Sequence, residues 1–292
     1  MKIGDLLQSV RPAQWTKNLF VFAALIFAMK IFDGPLFLRA CGAFVIFCLF
    51  SGSVYLINDV LDFEEDRNHP KKSRRPIAAG RVGRRTAVVF AGLLAAASLA
   101  GAFILSPGFF IVGAVYIGLQ IAYSIKLKHV VILDVFIVAS GFVLRVVAGG
   151  LVIHVQLSSW ILICMTLLAL FIAMSKRRHE LVLLEEAAPA HRPILKEYSA
   201  YLLDQMISVV TASTVIAYCL YTVSEDTVKK FGTSHLIYTT PFVLYGIFRY
   251  LYLVHKKGLG GSPEELILKD KPLAVSVLLW IATVVGILYY FK

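Results

Sequence analysis

Nine runs of apolar residues, each about the length of a bilayer crossing, constrain this chain more than any other feature. They fall at roughly 16–32, 37–57, 86–105, 108–124, 131–153, 157–175, 207–223, 237–254 and 272–291. A helix rises about 1.5 Å per residue, so about 20 apolar residues cover a hydrocarbon core of about 30 Å. Inside lipid every backbone amide needs an internal partner, and a helix supplies it. The reading is an all-α polytopic membrane protein of about nine transmembrane helices, one transmembrane domain over residues 1–292. A soluble domain does not fit a chain that is 59% hydrophobic and 16% charged. Residues 1–17 are polar and basic and read as no cleavable signal. Asp33-Gly34-Pro35, Ser106-Pro107-Gly108 and the stretch from Gly258 to Pro263 supply turn chemistry at three of the breaks.

The charges alternate between the gaps. The N-terminus and the loops after the second, fourth, sixth and eighth runs hold 22 of the 29 Lys and Arg. Lys30, Lys229, Lys230 and Lys292 lie on the other side, and Arg39, Arg145 and Arg249 fall within or beside the runs. Basic loops stay in the cytoplasm, so the expected protein sits in the cell membrane with its N-terminus inside. The loops near 58–85, 124–130, 176–206 and 255–271 then form a cytoplasmic active face. The net charge of +11 follows sidedness and lacks interleaved aromatic platforms, which argues against nucleic acid as a partner. Cys41, Cys48, Cys164 and Cys219 stand singly in apolar stretches and read as packing residues.

One loop breaks the apolar pattern abruptly. Asn58, Asp59, Asp62, Glu64, Glu65 and Asp66 arrive together, and seven Lys or Arg follow between positions 71 and 85. Asn58, Asp62 and Asp66 are spaced i, i+4, i+8 and share a helix face, with Asp59 at its edge. Clustered carboxylates repel unless a cation lies between them. Oxygen donors of this kind suit Mg²⁺, which commonly takes a few carboxylates plus phosphate oxygens of a substrate. The plainer reading is a solvated helix end balancing the basic run beside it.

The ordered NDxxDxxxD stretch, followed by Arg74-Arg75-Pro76-Ile77 and Gly80, resembles the first aspartate-rich motif of the UbiA superfamily of intramembrane prenyltransferases. Where typical members carry a second aspartate-rich motif, this chain reads SKRRHEL from Ser175. Together with RPAQWTKN (Arg11 to Asn18), YSIKLKHVVILDV (from Tyr123), GFVLRVVAGG (from Gly141) and KEYSAYLLDQM (from Lys196), it is similar to the decaprenyl-phosphate phosphoribosyltransferase branch. The resemblance implies one Mg²⁺ site held by Asn58, Asp59, Asp62 and Asp66, with Asn58, Asp62 and Asp66 carrying catalysis. It implies phosphoribosyl diphosphate as donor, a polyprenyl phosphate lipid as acceptor, and a product that feeds arabinose donors for the cell wall.

Other residues are weighed singly. Lys17, Lys71, Lys72, Arg74, Arg75, Lys126, Lys128, Lys176 and Arg177 are candidate phosphate contacts, against the plain role of topology charges. Tyr123 could donate to a phosphate or sit as an interfacial aromatic. Asp134 and Arg145 lie inside an apolar run, where a charge needs a partner or a ligand. Tyr198 is a candidate for ribose hydroxyls. Glu185, Glu186, Glu264 and Glu265 read as solvated. Two other functions stay open. A prenyltransferase using an aromatic acceptor would share the fold and first motif, and a transporter would account for Arg145 and Asp134 as a path. A homo-oligomer is also open.

Overall fold

The computed structural model describes residues 3–68, 72–186, 193–259, 266 and 269–290. Lys71, Glu264, Glu265 and Lys292 lie outside the described residues, as do the side chains of Glu185 and Glu186. Among the described residues every regular element is helical. The chain divides into two compact units, residues 1–156 with 189–194, and residues 157–188 with 195–292.

The first unit begins with α1 (Ile3–Ser9), a 3₁₀ segment (Pro12–Phe22) and α2 (Ala23–Phe27). α3 (Gly34–Leu61) starts on an Asp33 cap, whose carboxylate accepts from the Leu36 amide at 3.1 Å, with Pro35 in the first turn. α3 is apolar on all sides, and more than half of its hydrophobic window is buried. That is the pattern of a helix enclosed by others. It packs on α5 (Arg84–Leu105), α6 (Pro107–Ile125), α7 (Leu133–Val152) and the 3₁₀ segment. Phe47, Phe50, Phe109 and Tyr116 fill the centre with edge-to-face rings. The packing is close enough that a Cβ at Gly113 would come within 2.3 Å of the Phe50 ring. Beyond α3 lie the short helix α4 (Phe63–Arg67) and a 3₁₀ turn (Lys72–Arg74). A further 3₁₀ turn, Leu127–His129, joins α6 to α7.

The second unit contains α8 (Ser159–Glu186), α9 (Ala200–Val223), α10 (Glu225–Phe231), α11 (Thr240–Lys257) and α12 (Lys271–Tyr290). α8 pairs with α9, and α11 with α12. Ser199 and Ser224 cap α9 and α10 by accepting from amides three residues on.

Seven described helices are long and apolar enough to cross a membrane: α3, α5, α6, α7, α8, α9 and α12. Two of the nine expected runs differ. The stretch 16–32 forms no long α-helix but the 3₁₀ segment and α2. A 3₁₀ helix rises about 2.0 Å per residue, so the two pieces end to end extend about 30 Å, enough for a crossing in another helical geometry. The stretch 237–254 forms α11, but Arg249, His255, Lys256 and Lys257 make that helix too polar to count among the seven.

Candidate functional site

The acidic motif keeps its helical register across the α3–α4 junction. The Asp62 amide donates to the Asn58 carbonyl at 2.9 Å, and the Asp66 amide to the Asp62 carbonyl at 2.8 Å. The expected i, i+4, i+8 relation of Asn58, Asp62 and Asp66 is therefore present in the backbone. The side chains sort into two groups. Asn58 donates to Asp62 Oδ2 at 2.9 Å, and its own Oδ1 accepts from Ser124 Oγ at 3.0 Å. Lys128 pairs with Asp62 Oδ1. Asp59 and Asp66 instead meet Arg75, which pairs with both. Arg11 also pairs with Asp59, and its guanidinium lies over the Tyr55 ring at 4.8 Å.

Three carboxylates are thus buried at one helix end, Asp59 2% exposed, Asp66 1% and Asp62 8%. Buried carboxylates need charge partners. The partners come from four places in the chain: before the 3₁₀ segment (Arg11), the 72–74 turn (Lys72), the following turn (Arg75) and the 127–129 turn (Lys128). Asp66 Oδ1 is buried and accepts no hydrogen bond from the described residues, with Lys72 Nζ 3.7 Å away. Among the described residues no three His, Cys, Asp or Glu converge on one metal-sized point. The donors are all oxygen, one of them without a hydrogen bond from the described residues, and a hard divalent cation sharing its ligands with a phosphate needs no more than one or two carboxylates. The residues fit such an ion.

The remaining candidates are distributed as follows. Lys17 is half-buried on the 3₁₀ segment beside fully buried Asn18. Arg74 is exposed, and its carbonyl accepts from Arg81, which pairs with Asp5 at 2.9 Å. Lys126 is exposed at the end of α6, and Lys128, two residues on, makes the contact with Asp62. Tyr123 is half-buried one residue before Ser124. Asp134 is 0% exposed in the first turn of α7. Arg145 lies 5% exposed, further along α7, and its described hydrogen-bond partners are all neutral.

In the second unit Arg177 is buried and donates to Glu180 at 2.6 Å. Arg178 holds Asp204 with two nitrogens, one pairing from α8 to α9. His255 stands 3.9 Å from the same carboxylate. Burial and the nearby Arg178 hold the His255 imidazole below its ordinary value, with Asp204 pulling the other way. Lys176 is half-buried and Tyr198 buried.

Arg11 and Ser124 were not legible as members of the acidic centre, and Lys128 was legible only as a phosphate contact alongside Lys126. Arg11 was legible only as part of RPAQWTKN, because nothing local says that it reaches Asp59, 48 positions on.

The chain matches the UbiA prenyltransferase family over residues 18–261 and belongs to it. Its similarity to individual proteins is more specific. It is 39% identical to the decaprenyl-phosphate phosphoribosyltransferase of Mycolicibacterium smegmatis, covering 99% of this chain and 93% of the relative. It is 35% identical to the protein of the same name from Corynebacterium glutamicum, covering 97% of this chain and 86% of the relative. In fold it matches a UbiA homologue from Archaeoglobus fulgidus solved with DMAPP and Mg²⁺. The TM-score is 0.74 at 20% identity, over 98% of this chain and 99% of the other.

Proposed function

We propose that this chain moves a 5-phosphoribosyl group from phosphoribosyl diphosphate to the phosphate of a decaprenyl-type polyprenyl lipid, releasing diphosphate. The product would feed the synthesis of arabinose donors for the cell wall. The observation that carries the reading is a cation-ringed acidic centre in a chain so similar, end to end, to named decaprenyl-phosphate phosphoribosyltransferases.

The chemistry divides among the residues by charge. Asp62 and Asp66, with Asn58 and Asp59, would hold Mg²⁺. Bound there, the ion would neutralise charge on the departing diphosphate. Arg11, Lys72, Arg75 and Lys128 ring the same carboxylates, and they supply the donors that a diphosphate requires. Lys17, Lys71, Arg74, Tyr123, Lys126, Asp134 and Arg145 are the other first-unit candidates, and the structure gives Arg145 neutral partners. On the second unit Lys176, Arg177 and Tyr198 are separate candidates for phosphate or ribose contacts.

A lipid phosphate oxygen attacks the anomeric carbon, and the bond from that carbon to the diphosphate oxygen breaks with its electron pair on the diphosphate. Attack on the face opposite the leaving group inverts the anomeric centre. Positive charge grows on the sugar during the step, as in glycosyl transfer generally. The acceptor phosphate is ionised near neutral pH, so no general base is assigned. The chain contributes orientation and electrostatics. The polyprenyl tail stays in the lipid phase, because withdrawing it costs about 0.8 kcal/mol per CH₂. The cell membrane is the proposed location, with the acidic centre and the N-terminus on the cytoplasmic face.

The test uses purified full-length protein in detergent with Mg²⁺, a short polyprenyl phosphate and labelled phosphoribosyl diphosphate. Label should enter the lipid fraction, stop with a chelator and return with added Mg²⁺. No label under any of these conditions would overturn the reading.

A further inference from the structure

Arg145 is a buried cation with no carboxylate among its described partners, and such a group needs a reason. Its Nε donates to Asn18 Oδ1 at 2.8 Å, one terminal nitrogen to the Gly141 carbonyl at 2.5 Å and the other to the Tyr116 hydroxyl at 3.2 Å. The faces of Phe47, Tyr116 and Phe142 surround it at 4.9, 5.1 and 5.7 Å. Every donor-bearing nitrogen is thus engaged by protein.

Asn18 is the other half of the arrangement. It is 0% exposed, and its amide nitrogen reaches Cys48 Sγ and Ser51 Oγ, both at 3.2 Å. Asn18 therefore ties the 3₁₀ segment to α3 through one end of its amide and to α7 through the other. The segment needs such ties. It runs for 11 residues, and 3₁₀ helices seldom exceed three or four without outside support. At three residues per turn, Trp15, Asn18 and Val21 form one inward ridge. One turn past Asn18, the Val21 carbonyl lies where a Cβ at Gly149 would be, 2.0 Å from it. The segment and α7 thus touch backbone to backbone beside the Arg145–Asn18 bond.

Arg11 immediately precedes the segment and pairs with Asp59, and Lys17 sits next to Asn18. We infer that Arg145 is a positioning residue: through Asn18 it fixes the register of the 3₁₀ segment, and so the place of Arg11 at the acidic centre and of Lys17 on the segment that follows it. It acts on the donor's phosphates through those two cations and does not touch them. This rests on the phosphoribosyl-transfer reading above.

The experiment compares full-length Asn18→Ala, Arg145→Lys, the double variant and the conservative Asn18→Asp in detergent, with phosphoribosyl diphosphate and a polyprenyl phosphate. The protein carries 5-fluorotryptophan at its three tryptophans, and the Trp15 resonance is assigned with Trp15→Phe. Asn18→Ala and Arg145→Lys should each raise the donor KM about tenfold with kcat within about threefold, and each should shift the Trp15 line. The double variant should be no worse than the poorer single, because both changes break one connection. Asn18→Asp keeps an acceptor for Arg145 and should restore the KM.

Three results would overturn the inference. One is additive losses with an unmoved Trp15 line, which would make Arg145 a direct ligand. Another is falling kcat and melting temperature at constant KM, which would make the clamp merely structural. The third is no change at all. A wild type that transfers nothing would count against the function, and the Trp15 line would still decide the clamp.

Discussion

Asp62 joins both sides of the acidic centre's first group, accepting from Asn58 one turn back in α3 and pairing with Lys128 from the 127–129 turn. Asp62→Asn keeps the shape and removes the charge. Lipid labelling should fall by about 10²–10³-fold, the scale for losing one preorganised electrostatic group in a transition state. A variant within threefold of wild type would remove Asp62 from the mechanism. The spacing of Asn58, Asp62 and Asp66 was legible from sequence because helical register is local. The partners were not. Lys126 and Lys128 look alike in sequence, and only the tight turn after α6 decides that Lys128 reaches the carboxylate. Arg145 was expected to pair across helices or hold a phosphate. It does bond across to the 3₁₀ segment, through an amide rather than a carboxylate.

At the scale of elements, the 3₁₀ segment is the feature that composition could not show. A run of apolar residues reports burial, and it is silent on whether the backbone closes its hydrogen bonds at three residues or four. The close approach at Gly149 makes a sharp prediction. Gly149→Ala should destabilise by at least about 1–3 kcal/mol, the usual cost of forced overpacking. Gly246→Ala, with nothing within 4 Å of its Cβ, should be neutral or stabilise by up to about 1 kcal/mol. Thermal unfolding in detergent compares the two.

Between α11 and α12, Arg249 grips Asp270 with two nitrogens, and the same carboxylate caps α12 at the Leu273 amide. The Arg249 hydrogen bond holds the Asp270 carboxyl below the ordinary carboxylate value. A depressed carboxylate contributes stability above its unfolded pKa, about 3.9, and loses it as pH falls through the folded value. The melting temperature of wild type should therefore fall on acidification from pH 5 downward by more than that of Arg249→Ala. Parallel curves would contradict this.

At the scale of the whole molecule, the all-helical fold and its membrane character were legible because lipid leaves a chain few choices. The number of spans was less legible. Nine runs were expected and seven described helices qualify by length and apolar character, since α11 is too polar and the first stretch uses another helix type. The proposed sidedness rests on charge placement and has its own test. In intact cells with a cysteine-free background, Lys229→Cys should react with an impermeant maleimide and Arg81→Cys should not. The reverse pattern would invert the proposed orientation.

The central claim is that phosphate on a lipid, rather than an aromatic ring, accepts the transferred group. One reaction tests it: wild-type protein in detergent with Mg²⁺, offered polyprenyl phosphate and phosphoribosyl diphosphate together with a prenyl diphosphate and an aromatic acid, and read by mass spectrometry. A lipid heavier by one phosphoribosyl unit, with no prenylated aromatic, is the expected result. A prenylated aromatic with the polyprenyl phosphate unchanged would contradict the claim and return the chain to ordinary prenyl transfer.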